Sequence, residues 1–215
     1  MIIIGIDLSG PSNHKDTVAA AFQEENGRLQ LMDFIKGASD DMIRSLVTEC
    51  LEKDEVTIGL DAPLSYQDGG GDRAQDKAIR NFIKENGLSG SSIMTPTMTR
   101  MVYLTLRGVA LSRSLAALDT SDRLTILEVH PGAAIGLRLD EDKKELALRY
   151  KREPDVRTDI VDALRQWGLG GLLEMTETHE IDACGAALAA WKYTQGEAVW
   201  CWDKKSAAHP FRLCC

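Results

Sequence analysis

The opening residues of this chain constrain its fold more than any other stretch. Ile2-Ile3-Ile4-Gly5-Ile6 sets four isoleucines in five positions without alternation. A β-branched run of that kind is a strand covered on both faces, as in a sheet with helices on each side. Asp7 follows at once, flanked by Gly5 and Gly10, where backbone or ligand can come close. A single acid at a strand's end is ordinarily a turn residue or a helix cap. Here the pattern occurs twice: Val56-Thr57-Ile58-Gly59-Leu60-Asp61 is a second apolar run ending in Gly-x-Asp. If the two strands are parallel neighbours, about 4.8 Å apart, their carboxylates converge on one point.

The intervening chain supplies that arrangement. Thr17 to Gln23 reads as a second strand, Asn26-Gly27 as a hairpin turn, and Leu29 to Ile35 as a third strand, so the chain opens with an antiparallel meander. Ser39-Asp40-Asp41 offers N-cap chemistry, and Ile43, Leu46, Val47, Cys50 and Leu51 form one helical face. This helix crosses over and returns the strand ending at Asp61 parallel to the first. Pro63 then stops the strand.

A helical insertion is expected over about residues 64–122. A helix near 72–85 carries Ala74, Ala78 and Phe82 on an apolar side, with Arg73, Lys77, Arg80 and Lys84 as a basic stripe. A second, near 99–118, packs through Leu104, Gly108, Leu111, Leu115 and Leu118, with Arg100 and Arg107 opposite. Leu124 to Val129 is a further strand, with Glu128 as a third acid near its end. A charged helical stretch, 140–150, and a helix from about Asp155 follow. The last helix spans 178–193, with His179 and Asp182 in its first turn; Gly185, Ala186, Ala189 and Ala190 keep it slim enough to approach the sheet. Residues 196–215 read as a short tail in which Val199 to Trp202 could form an edge strand. The expectation is one α/β domain over 1–215: a mixed sheet flanked by helices.

Composition excludes several classes. No apolar run reaches the roughly 18 residues that span a bilayer, and the Ile-rich start lacks the length and basic flank of a signal peptide. Five cysteines without a regular framework fit reduced thiols, so a cytoplasmic protein is expected. The net charge of −8 argues against non-specific nucleic-acid binding through a global positive field. An enzyme acting on nucleic acid stays compatible with it, because a metal site concentrates acid. His179-Glu180 lacks the second histidine of a zinc protease, and Gly5 with Gly10 is no dinucleotide-binding fingerprint. Cys201, His209, Cys214 and Cys215 match no zinc spacing. The terminal cysteine pair is unaccompanied by a phosphate-binding loop of the GTPase kind.

The chemistry-bearing candidates are Asp7, Asp61, Glu128 and Asp182, with His179 beside them. Carboxylates brought together from separate segments are hard oxygen ligands suited to Mg²⁺ or Mn²⁺. Two such ions could activate water and stabilise the leaving oxygen of a phosphodiester. The competing reading leaves the strand-end acids in solvent and makes Asp182 a charge at a helix start. Arg73, Arg80, Arg100 and Arg107 are either bidentate phosphate donors or salt-bridge partners of the many acids. Ser9, beside Asp7, joins the expected substrate contacts.

Several of these pieces resemble known proteins. Gly5-Ile6-Asp7-Leu8-Ser9-Gly10, followed by a meander, a crossover helix and a second acid-ended strand, resembles the ribonuclease H-like fold. His179-Glu180-Ile181-Asp182-Ala183 resembles the closing helix of Holliday-junction-resolvase-type members. The ordered set also includes Asp61-Ala62-Pro63-Leu64, Arg73-x-x-Asp76-x-x-x-Arg80, Arg107-Gly108 and Glu128-Val129-His130-Pro131-Gly132. Together these resemble a family of predicted ribonuclease H-like nucleases of unknown function, the domain of unknown function 429, over most of residues 1–194. The resemblance implies adjacent strands ending at Asp7 and Asp61, with Asp7, Asp61 and Asp182 as metal ligands. His179 stands where resolvases often carry another acid, and neither Asp41 nor Glu49 aligns with the first-helix acid of many members.

The function expected is a divalent-metal-dependent nuclease, with nucleic acid as substrate, no membrane association and a homodimer as a compatible assembly. In it Asp7 bridges the ions, Glu128 assists as ligand or orienting group, and His179 positions water or shuttles a proton. Two rivals stand beside it: a nucleotide-binding phosphotransferase of the actin-like type, and a non-catalytic ribonuclease H-like binding module.

Overall fold

A computed structural model describes residues 1–172, 174–175, 177–203 and 206–215. Lys204 and Lys205, inside the expected tail, lie outside the described residues. The core is an eight-stranded mixed sheet in the order β6-β3-β2-β1-β4-β5-β8-β7. Its strands are β1 (Ile2–Asp7), β2 (Val18–Glu25), β3 (Arg28–Lys36), β4 (Val56–Asp61), β5 (Leu124–Val129), β6 (Leu169–Gly170), β7 (Cys201–Trp202) and β8 (Arg212–Cys214). The first three form the expected antiparallel meander. Asn26 and Gly27 turn the hairpin with φ of 53° and 74°, the left-handed pair that a two-residue turn needs. β4 runs parallel to β1, and β5 parallel to β4.

Helices cover both faces. Side chains alternate along a strand, so Ile2, Ile4 and Ile6 point one way and Ile3, Gly5 and Asp7 the other. The even set joins a core with α1 (Asp40–Lys53) and α3 (Met101–Ala116). Ile3 joins the opposite core with α2 (Ala74–Glu85), α4 (Pro131–Gly136), α5 (Leu146–Arg149), α6 (Pro154–Gln166) and α7 (Thr178–Thr194). Ser39 caps α1 by accepting from the Met42 amide at 3.2 Å.

α7 is the central helix, buried on every side from Glu180 to Trp191. It lies directly over β1 and β4 because both strands carry a glycine beneath it. A Cβ on Gly5 would come within 2.0 Å of the Ala183 carbonyl oxygen, and one on Gly59 within 2.3 Å of that of Ala186. Gly185 does a different job from the one expected: it admits Ile135 and Pro131 of the α4 region rather than the sheet.

Four local readings need correction. The buried face of α2 is Gln75, Asp76, Ile79 and Ile83, one residue round from the expected apolar side. The charged stretch 140–150 is a 3-10 turn (Glu141–Lys143) and the four-residue α5. The final segment is no mere tail: β8 inserts between β5 and β7, so two short strands complete that side of the sheet. Cys201 and Cys214, opposite each other on β7 and β8, form a disulfide, whereas Cys50, Cys184 and Cys215 are free and buried. No helix among the described residues is long and apolar enough to cross a membrane.

Candidate active site

The parallel register sets Gly5 opposite Gly59 and Asp7 opposite Asp61. The two acids therefore share the α7 face at the carboxyl ends of adjacent strands, close enough for their carboxyls to hydrogen-bond. The slim contact with α7 brings that helix's first turn over them. His179 Nδ1 lies 2.5 Å from Asp7 Oδ2. Asp182 is buried and held at both oxygens: Tyr150 donates its hydroxyl to Oδ1 at 2.5 Å and the Lys151 ammonium donates to Oδ2 at 2.7 Å. Asp7, Asp61, Asp182 and His179 are thus brought together as expected. Tyr150 and Lys151 are additions that no sequence pattern disclosed, since they sit on a turn after a helix too short to show periodicity.

The electrostatics are those of a crowded acid site. Burial, with the charge of Asp182, pushes the Asp7 carboxyl up to about 6 against the hydrogen bond from His179. Burial and the neighbouring charges of Asp7 and Asp182 hold the Asp61 carboxyl well above the ordinary range. The bond to Asp7 raises His179. Burial opposes charging of Lys151, but Asp182, Asp61 and Asp7 around it outweigh that and raise it.

Glu128 borders the same cleft as Asp7 and Asp61, but its carboxylate is engaged by other groups. Its register partner is Leu60, so strand alternation sends it to the other face of the sheet. There it accepts from the Leu64 amide at 2.9 Å and forms a buried ion pair with Arg73. Arg73 is itself 1% exposed, and its guanidinium is spent on Asp76, Glu128 and Ser65. It borders the cleft, but its donors are committed to these partners. Glu128 and Asp76 raise its pKa further against the cost of burial.

Arg107 is likewise buried, donating to Asp40 Oδ1 at 2.8 Å, the Ser9 carbonyl at 2.9 Å and Thr17 Oγ1 at 2.7 Å. The Ser9 hydroxyl is committed to the Asn13 carbonyl at 2.6 Å and to Thr17. Arg80 pairs with Asp72 at 2.6 Å and donates to the Ile93 carbonyl. Of the four expected phosphate-binding arginines, only Arg100 is exposed and free of an ion pair among the described residues. α3 presents exposed Val102, Tyr103 and Leu106 rather than an arginine face.

The carboxylates open into a cleft of about 240 Å³ whose polar lining includes Asp7, Asp61, Arg73, Asp76, Glu128, His130 and Lys151. Ile93, Met94, Met101 and Leu104 form an apolar wall. Burial lowers His130 to about 4, so its imidazole is neutral. Its Nδ1 accepts from the Ala133 amide at 3.0 Å.

Residues 5–207 match the family model described as protein of unknown function (DUF429). The chain belongs to the DUF429 family. No curated protein and no solved structure matches this DUF429 protein.

The resemblance implies a divalent ion here, and the donor chemistry suits one: hard oxygens from β1, β4 and α7, carrying negative charge that burial has left under-compensated. Among the described residues no three His, Cys, Asp or Glu side chains stand ready-made around one point for an ion. Lys151 engages one oxygen of Asp182 and His179 one oxygen of Asp7. Asp7 and Asp61 are the two donors that could accept an ion without displacing the lysine. The cysteines and His209 make no soft-metal site, since Cys201 and Cys214 are joined and His209 Nδ1 lies 2.8 Å from Ser65 Oγ.

Proposed function

We propose that this DUF429 protein is a ribonuclease H-like, divalent-metal-dependent nuclease that hydrolyses phosphodiester bonds at the Asp7–Asp61 cleft. The observation that carries this reading is the pairing of Asp7 with Asp61 in register at the ends of adjacent parallel strands, both with raised carboxyl pKa. The ribonuclease H-like assignment draws support from the run β3-β2-β1-β4-β5, an antiparallel meander continued by two parallel strands.

Asp7 and Asp61 would hold Mg²⁺ or Mn²⁺, with Asp182 completing the set as Lys151 moves aside. Such an ion, when bound, supplies neutralisation of phosphate charge and a more acidic water. His179, with Nδ1 fixed on Asp7, keeps Nε2 to exchange a proton with the attacking water or the leaving oxygen. The Lys151 ammonium, half exposed beside Asp182, offers a donor to a phosphate oxygen. The apolar wall of Ile93, Met94, Met101 and Leu104 limits water at the reacting bond. With Arg73 and Arg107 buried in ion pairs, the grip on a polymer falls to few phosphates, and the reading favours strand ends or short segments over long duplex.

The test is incubation with labelled single-stranded, duplex, hybrid and branched substrates in Mn²⁺, beside Asp7→Asn and Asp61→Asn. Cleavage by the wild type and not by either variant supports the assignment. Equal cleavage by all three proteins, or none by the folded wild type, sinks it.

A further inference from the structure

Next to the carboxylate cleft lies a second hollow of about 370 Å³. Ser92, His130, Gly132 and Lys151 belong to the walls of both, so the two hollows adjoin at these residues. Small-ligand sites usually occupy roughly 300–1,000 Å³. The carboxylate cleft falls short of that by itself, while the second hollow lies within it. A substrate seated on Asp7 and Asp61 therefore gains room by extending past His130.

The charge of this hollow is opposite to that of the chain as a whole. Its lining includes Lys151 and Arg152 and no acidic side chain, in a protein of net charge −8. Arg152 is exposed, and its guanidinium has no hydrogen bond or ion pair among the described residues. Ser89, Ser91 and Ser92 add hydroxyls along one wall, on a 3-10 turn (Gly90–Ser92) where the Ser89 and Ser91 oxygens lie 2.7 Å apart. The turn is pinned against α2: a Cβ on Gly90 would come within 2.7 Å of the Arg80 side chain and 2.6 Å of Lys84. The remaining wall is apolar, with Ile83, Leu88, Ala147 and the half-exposed Leu148. The lining thus offers cations and hydroxyls to a phosphate and apolar side chains to a flat group.

We infer that the second hollow is a nucleotide subsite, in which Arg152, Lys151 and the serine hydroxyls hold a phosphate while Leu88 and Leu148 cover the attached base. This rests on the hydrolase reading only in giving both hollows the same substrate; binding itself needs no metal. The subsite holds the nucleotide next to the scissile bond, and it replaces the buried Arg73 and Arg107 as the source of phosphate recognition.

Calorimetric titration in EDTA with adenosine 5′-monophosphate, adenosine and inorganic phosphate tests it. The wild type should bind the monophosphate without added metal. Arg152→Glu should bind it at least tenfold more weakly, and Ser91→Ala/Ser92→Ala severalfold more weakly. Adenosine and phosphate should each bind more weakly than the monophosphate. Absence of binding to the wild type overturns the subsite, as does equal binding by Arg152→Glu or equal binding of adenosine. Intact monophosphate binding without Mn²⁺-dependent cleavage of any nucleic acid would remove the hydrolase reading and leave the subsite standing.

Discussion

Leu60, and not Asp61, is the register partner of Glu128, and this one-residue offset puts the third strand-end acid on the opposite face of the sheet from Asp7 and Asp61. Glu128 lines the cleft beside those acids but is tied down by other groups. Its ion pair with Arg73 is buried at both partners and joins β5 to the start of α2.

Removing one member of such a pair strands the other charge in the interior. Glu128→Ala should cost about 3–5 kcal/mol in urea unfolding. Arg73→Met with Glu128→Leu should cost less than the sum of the single changes, since neither charge is then orphaned. Stabilisation by Mn²⁺ should persist in Glu128→Gln; its loss would return Glu128 to the metal set.

The glycines under α7 offer a sharper steric test. Gly59→Ala places a methyl within 2.3 Å of the Ala186 carbonyl oxygen, where backbone must move, and Gly5→Ala is tighter still. Each should destabilise by about 1–3 kcal/mol or more. Gly10→Ala, whose nearest neighbour is 3.9 Å away, should stay within about 0.5 kcal/mol. A neutral Gly59→Ala would mean that α7 does not rest on the sheet as described.

Asp7 makes stability depend on pH. Its carboxyl titrates at about 6 in the folded chain and near its ordinary value of about 4 when unfolded. Between those values the folded state binds more protons, so stability falls as pH rises from about 4 to 6 and stays lower above. His179 acts in the same direction: its raised pKa adds stability that is lost as pH climbs through the folded value. Asp7→Asn removes a penalty of about 3 kcal/mol at pH 7.5 and forfeits a hydrogen bond of about 1 kcal/mol. A net rise in Tm of about 4–8 °C is expected there. The gain should vanish below pH 4. A gain independent of pH would contradict the titration of Asp7.

Lys151 pairs with Asp182 and stands in the field of Asp61 and Asp7. Lys151→Met should lower stability in EDTA by about 1–2 kcal/mol. Mn²⁺ should then raise Tm more in the variant than in the wild type, because an ion would replace the missing ammonium. Equal Mn²⁺ shifts in the two proteins would show that the lysine and the ion do not share the same acids.

How far the site could be read from sequence differs from residue to residue. Asp7 and Asp61 were legible because each ends an apolar run two residues after a glycine, and parallel pairing lines up equal patterns. Asp182 and His179 were legible because the alanine-rich segment behind them lets α7 approach the strand glycines. Glu128 lines the same cleft, but strand parity turns its carboxylate to Arg73 and the Leu64 amide, which nearness to a strand's end does not disclose. For Arg73 and Arg107 the structure realises the salt-bridge alternative, because a buried guanidinium is tolerated once carboxylates and carbonyls use its donors.

The chain alone therefore determined the covered first strand, the meander, the crossover and the two matched acids, all consequences of local period and residue shape. Tertiary structure alone decided which charges neutralise one another, which arginines remain for a ligand, and that Tyr150 and Lys151 reach Asp182. Lys151 with Asp182, Arg73 with Glu128 and Arg107 with Asp40 join residues 31, 55 and 67 positions apart. Coulomb and hydrogen-bond energies depend on distance in space, for which position along the chain is no guide.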